Sequence, residues 1–558
     1  MTFTASLRCA AALVSRGTLV TVLLAACAST PRRQPLRPLA QIELQAPLAP
    51  ADPALLAYLR VRDPVALLRS LSLEEPASPA TGGAGVRTTT DGVLAKLQGL
   101  PYQDLRAGGV VSLFAYDPSG KSLRETPLFG LFPMAPTAQL AQQLQAKVGQ
   151  VMALDGATLA CLNRAAQLNP VSLRDLSRLA NQPVLEDAQL FVNLELLRRY
   201  RSAAEAWFDS ILPSRAPAGR RGQGYELLPA SVSALPPKTG RADGGFARRS
   251  VANLFDLLEG LQSLAVGFSL QEKNIAVSVL SEARVAGPPR ETTDLLGFLD
   301  EGDVAARFDA GADSRNAKLY YRQFYGSLFR GEPWIRARVE QMLADQEFAF
   351  AGAHGAVSLS FGDYGVRGVF LSQLKADADG LKATRKVMTF AEELRNERRT
   401  AREPGIKVER AIRKRRGFEI DRYEFPTSVD PAAARATDSS LRFTIEFAQA
   451  GPYFIHAINE PATEMDRLID ALAEGRPARA VAPAPAGTFL SGQINAVRIL
   501  NKLSRWGPAH ARGTLDERLP PLTFDSVESG RLTRFRLQIP RALVEELRRL
   551  GATRPAPR

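Results

Sequence analysis

The sequence predicts an α+β protein: antiparallel sheets with helices packed on one face, built from degenerate strand–helix plus hairpin repeats. Three observations predict it. One phrase recurs four times: an apolar strand-like run after acidic or small residues, then a polar or acidic residue, then a helical pattern. Hairpin-like passages of alternating residues lie between the phrases. Two of the sheet passages run directly into a helix.

The first phrase is Leu55-Leu56-Ala57-Tyr58-Leu59-Arg60-Val61, followed by Asp63-Pro64, where Asp63 suits a helix N-cap and Pro64 the first helical position. A strand at 128–132 leads into a helix at 137–148. The second phrase, 187–194, runs into a helix at 197–208. Strands 264–270 and 275–280 flank the turn Gln271-Glu272-Lys273-Asn274. The third phrase, 302–309, precedes an aromatic stretch at 320–329. Strands 357–361 and 366–371 flank Gly362-Asp363-Tyr364-Gly365, a stronger hairpin signal. Strands 443–447 and 453–458 flank Ala450-Gly451-Pro452, and the second feeds a helix at 462–473. The fourth phrase, 487–494, precedes a helix at 497–506. A strand at 532–539 and a helix opened by Pro540 close the chain. The intervals between phrases are uneven, which excludes a solenoid of fixed period.

At 558 residues the chain has room for several cores, three or four on a soft expectation of roughly 150 residues each. The segments read as follows: a leader at 1–26, a proline-rich tether at 27–53, and a first α+β domain at 54–213. A Pro/Gly/Arg-rich linker or loop at 214–250 precedes a second α+β region at 251–550. That region divides into two subdomains if the basic stretch 395–416 is a connection, and 551–558 reads as a disordered tail.

The N-terminus carries Arg8 and Arg16 without an acid, then an apolar run from 19 to 26 broken only by Thr21. The run is shorter than the ~20 apolar residues of a membrane-spanning helix and suits the core of a secretory signal. It ends in Leu24-Ala25-Ala26-Cys27, which resembles the lipobox of bacterial lipoproteins. That resemblance implies cleavage before Cys27, with Leu24, Ala25 and Ala26 read by the processing peptidase and a diacylglyceryl group on the Cys27 thiol. Acyl chains at about 0.8 kcal/mol per buried methylene would hold the protein to a membrane. Ala28 and Ser29 follow, with no Asp, which by the sorting pattern of diderm lipoproteins implies the outer membrane. The mature part resembles, in pattern only, alanine-rich bacterial envelope proteins of unknown function with repeated strand–helix units.

Little chemistry is legible. His354, His456 and His510 have no second His or Cys at ligand spacing, so no metal or cofactor is expected. Cys161, in Leu159-Ala160-Cys161-Leu162, reads as a small core residue. No Gly-x-Ser-x-Gly elbow is present, and Ser119-Gly120 and Ser491-Gly492 read as turns. The glycine-rich 81–86 follows prolines rather than a strand and has no lysine at the phosphate position. No catalytic residue is assigned. Trp207 and Trp506, with Phe208, Phe324, Tyr325 and Phe329, read as core or as the lining of an apolar groove.

Lys and Arg outnumber Asp and Glu 71 to 58, a net +13 that favours anionic partners, although an Arg-rich, Lys-poor composition also follows from high-GC coding. The densest basic stretch holds Arg398, Arg399, Arg402, Arg410, Arg413, Lys414, Arg415 and Arg416. An export signal excludes nucleic acid, leaving anionic lipid, glycan or an envelope protein as partners. The alternative is a solvated, partly helical connection whose arginines pair with nearby acids. The functional expectation is therefore a lipid-anchored, non-enzymatic binding or scaffold component of the envelope, reaching the membrane through its N-terminal lipid. Its alternatives are a hydrolase of envelope polymer or lipid with a dispersed site, and a periplasmic lipid carrier.

Overall fold

The computed structural model describes residues 54–64, 104–118, 126–163, 170–181, 186–202, 260–286, 294–309, 354–398, 406–426, 442–506 and 515–552. Gaps at 149, 363–364 and 485–486 interrupt these spans, and positions 67, 166, 184 and 341 are described singly. The leader, the tether, the linker at 214–250 and the aromatic stretch at 320–329 lie outside the described residues.

Among the described residues, eighteen strands form a single sheet. The first eight are β1 (Leu55–Arg62), β2 (Val110–Tyr116), β3 (Leu128–Phe132), β4 (Val151–Leu154), β5 (Ala157–Cys161), β6 (Ala188–Asn193), β7 (Leu261–Leu270) and β8 (Asn274–Ala283). The next seven are β9 (Val304–Asp309), β10 (His354–Gly362), β11 (Gly365–Gln373), β12 (Lys407–Arg415), β13 (Phe418–Pro426), β14 (Arg442–Ala450) and β15 (Tyr453–Ile458). β16 (Thr488–Ile494), β17 (Leu522–Ser529) and β18 (Leu532–Pro540) complete it. The helices are α1 (Gln139–Val148), α2 (Pro170–Asn181), α3 (Leu194–Arg198), α4 (Gly380–Arg398), α5 (Ala462–Glu474), α6 (Ala496–Trp506) and α7 (Arg541–Ala552).

Strand pairing, all antiparallel, gives the order β4-β5-β3-β2-β1-β6-β7-β8 for the first half, with β8 then pairing β18. The second half continues β18-β17-β16-β9-β10-β11-β15-β14-β13-β12. The four recurring phrases are β1, β6, β9 and β16, and they pair with one another at the middle of each half, β1 with β6 and β9 with β16. A hairpin flanks each of them. The halves are related by an approximate two-fold axis normal to the sheet, between β8 and β18, where the equivalent residues Ser278 and Arg536 face each other. The same operation matches Asn193 to Asn495. Each caps the helix after its strand: Asn193 Oδ1 accepts the Glu195 and Leu196 N–H groups, and Asn495 Oδ1 accepts that of Arg498.

This arrangement corrects the predicted α+β layout. Among the described residues strand accounts for 47% and helix for 25%, and one continuous sheet replaces several. Helices also lie on both faces rather than one. On the front face, the one bearing Arg60 and Arg307, Leu176 of α2 packs with Phe129, Leu131 and Leu159. The equivalent α5 packs Met465, Leu468 and Ile469 there on Leu371, Ile455 and Ala448. On the back face, Leu140 and Ala141 of α1 meet Phe132, while Met388 of α4 meets Tyr423, Phe447 and Phe454. Val544 of α7 joins Phe268, Ile275 and Ile539 behind the centre. The cause lies in the strands: β14 buries Ala448 and Ala450 in front and Phe447 behind, so both faces need cover. Chain order alone does not show which side a connecting helix takes.

The acids that open two of the phrases have a defined role. The carboxylate of Asp187, just before β6, accepts the Leu270 N–H at 2.7 Å and pairs with Arg62 at 2.9 Å. Asp303, just before β9, accepts the Phe361 N–H at 2.8 Å and pairs with Lys502 at 2.7 Å. In both, a buried carboxylate closes the corner where the neighbouring hairpin strand ends. In the other two repeats a backbone carbonyl does this, Ala54 for the Asp117 N–H and Gly487 for that of Glu528. The Asp63 carbonyl accepts the Leu67 N–H at 2.8 Å, as at a helix start, and its Oδ2 also accepts from Gly108 N–H across the sheet end at 3.2 Å.

Candidate functional site

The two-fold places two arginines in the same register position of the front face. Arg60 lies opposite Ser112 and Gln189; Arg307 lies opposite Ala356 and Ser491. Their surroundings then diverge. Arg60 is fully buried beside Tyr58, whose ring stacks on Phe191 at 4.9 Å and whose hydroxyl is pushed up to about 12 by burial. Glu186, near the same cluster, is also held above the usual carboxylate range by burial, although Ser278 Oγ donates to it at 2.6 Å.

Arg307 opens instead on a pocket of about 340 Å³. The segment after α5 forms its far wall. Gly475, in the left-handed conformation at φ 63°, ends α5 and turns the chain across the front face. Arg479 N–H then bonds Gly297 O at 3.0 Å, and Ala482 O accepts from Arg307 Nη1 at 2.8 Å. Gly297 allows this approach, since a Cβ there would sit 2.9 Å from Arg479 O. Arg307 Nε donates to Ser491 Oγ at 2.9 Å, which fixes the plane of the guanidinium. Arg479, Gln493 and Thr523 add polar lining, and Leu296 and Val481 add apolar wall. Ser491 and Gly492 therefore lie within β16, not in a turn.

The lining contains two arginines and no Asp or Glu. Neither arginine is ion-paired among the described residues, and Arg479 Nε is buried without a hydrogen-bond partner among them. Two acids stand near Arg307 in register: Asp309, two residues on in β9, lies 4.0 Å from His354 Nδ1, and Asp525, opposite Ser491, is bonded to Arg536 at 2.7 Å. The pocket is thus a preorganised, positively charged recess with an apolar side.

The basic stretch has a different character. Instead of a connection, β12 and β13 form a hairpin at the outer edge of the sheet. Arg413 forms a two-pronged bond to Glu446 at 2.8 and 2.7 Å and reaches Asp466 at 3.2 Å. Arg422 bonds the same Glu446 at 2.7 Å. Arg415 and Arg416 share Asp470, which they hold down at about 2, and Arg416 also bonds Glu474. Lys414 lies 3.5 Å from Glu419, and Arg410 donates to Thr389 Oγ1 at 3.0 Å. Arg398 ends α4. Arg399 and Arg402 lie outside the described residues, as do Leu24, Ala25, Ala26 and Cys27.

Other candidates carry no chemistry in place. His354 Nδ1 stands 4.0 Å from Asp309, and His456 is sealed between Phe370 and Phe447. Cys161 is buried, which pushes its thiol up, and its Sγ lies 3.4 Å from Gln150 Oε1. No group of three His, Cys, Asp or Glu side chains is placed to hold a metal among the described residues. Trp506 ends α6, while Trp207, Phe208, Phe324, Tyr325 and Phe329 lie outside the described residues. No sequence motif marks Arg307 or Arg479; the one signal was a charge on the inward alternation of the otherwise apolar 304–308.

The sequence matches no protein-family model and no curated protein, and the structure matches no solved structure.

Proposed function

We propose that this protein is a lipid-anchored component of the cell envelope, held at the outer membrane through Cys27, that binds an envelope ligand without turning it over. The anchoring half rests on the leader and on Leu24-Ala25-Ala26-Cys27. The binding half is carried by the recess at Arg307, where two arginines without acidic partners meet an apolar wall. Preformed pockets that take ligands combine an apolar lining with a few convergent polar groups, and their usual volume of roughly 300–1,000 Å³ includes this one. The basic hairpin supports a scaffold surface less well, because its arginines already hold Glu446, Asp466 and Asp470.

The test is affinity purification of the lipidated protein from detergent-solubilised envelope, alongside Arg479→Gln, with bound lipids, glycans and proteins identified together. A molecule retained in stoichiometric amount by the wild type and lost from the variant supports the reading. Identical recovery from both would move the binding surface away from this recess.

A further inference from the structure

We infer that the recess at Arg307 is an oxyanion site, taking the carboxylate or phosphate group of a small ligand whose apolar part lies against Leu296 and Val481. The inference rests on the recess being the binding site of the proposed function, and it names the class of ligand.

Three observations converge on it. First, arginines elsewhere in this half of the sheet are mostly matched with acids: Arg385 with Asp421, Arg413 and Arg422 with Glu446, Arg467 with Glu464, and Arg536 with Asp525. Arg307 and Arg479 are the exceptions that share a cavity. Second, Arg307 is already oriented. Its Nε and Nη1 are held by Ser491 Oγ and Ala482 O, both neutral acceptors, so the charge is uncompensated while the plane is fixed. A guanidinium has five N–H donors in a rigid fork, so most of them are left for a ligand. Third, Arg479 Nε is shielded from water without an acceptor among the described residues. A buried donor without an acceptor is costly, and a ligand oxygen would remove that cost. Ser491, Gln493 and Thr523 supply neutral polar groups around the anion. The related Arg60 shows that the register position alone does not make a site, since there the front face is closed over it.

The experiment is calorimetric titration of the purified full-length lipidated protein in detergent, with inorganic phosphate in one arm and succinate in the other. Saturable binding of either probe is expected, and the arm that binds tells whether the natural group is phosphate or carboxylate. Arg479→Gln should weaken it roughly ten- to a hundred-fold, the usual effect of removing one charged hydrogen bond. This variant removes no side-chain bond to the described residues, so its fold should survive; an unchanged melting curve checks that. Arg307→Gln should abolish binding. No saturable binding of either probe below about 10 mM, or equal binding by wild type and Arg479→Gln, would overturn the assignment. Membrane retention is read separately, so failure here leaves the anchoring reading standing, and failure there leaves this one.

Discussion

Replacing Asp303 tests whether the acid that opens a repeat closes the corner of its hairpin. The carboxylate is almost fully buried, 3% exposed, and it holds both the Phe361 N–H at 2.8 Å and the Lys502 ammonium at 2.7 Å. Asp303→Asn keeps the shape and an acceptor oxygen but removes the charge. Hydrogen bonds to charged groups contribute about 1.5–3 kcal/mol, so the corner should weaken by roughly 2 kcal/mol. Asp303→Ala strands both the N–H and the ammonium and should cost about 3–5 kcal/mol. The effect is local, so hydrogen exchange over β10 is the appropriate assay. A loss of 2 kcal/mol corresponds to roughly thirty-fold faster exchange at Phe361 and its neighbours. Lys502→Met should give a smaller loss, and the double variant less than the sum, because the two residues share one interaction. Unchanged protection of β10 in Asp303→Asn would refute the reasoning, and with it the role given to Asp187.

Two further predictions concern the second half. Glu446→Gln removes the charge and one of the two acceptor oxygens that Arg413 and Arg422 share and should destabilise the outer hairpins by about 2–3 kcal/mol, read by thermal melting at neutral pH. Burial alone would raise the Glu446 pKa, but Arg413 and Arg422 outweigh it and hold it low, so its contribution is present above the unfolded value near ~4.3 and lost as pH falls through the folded one. The variant should therefore show a shallower acid loss than wild type, and an equally steep one would count against the network. His456 is pushed down to about 4 by burial, so the unfolded chain binds its proton first as pH falls from 6.5. Stability should drop by up to about 3 kcal/mol across that window, and His456→Phe should flatten the slope; an unaltered pH profile would contradict this.

Much of the sheet was legible because hairpins announce themselves locally. The turns at Gln271–Asn274 and Gly362–Gly365 sit between alternating runs that became β7–β8 and β10–β11. The repeated phrases were legible as well, since each begins with a short apolar strand. What the phrases do in three dimensions was not. Pairing of β1 with β6 joins positions more than a hundred residues apart, and that of β8 with β18 joins positions about 250 apart. The side taken by each helix was equally hidden: α4 and α5 cover opposite faces of the same strands. The strand character of β12 was hidden because its charges mask the alternation. Arg413 and Arg415 point to α5 on the front, while Lys414 meets Glu419 behind. A bulge between Glu409 and Arg413, with Ala411 at φ 49°, breaks the period further. The recess at Arg307 joins residues from 296 to 524, so no local motif could mark it.

The most direct test of the account is the mass of the mature N-terminus, measured on protein from fractionated cells beside Cys27→Ala. Wild-type protein is expected in the outer-membrane fraction, beginning at Cys27 and carrying a diacylglyceryl group, with the variant left as uncleaved or mislocalised precursor. An unmodified Cys27, or normal membrane retention of Cys27→Ala, would contradict it.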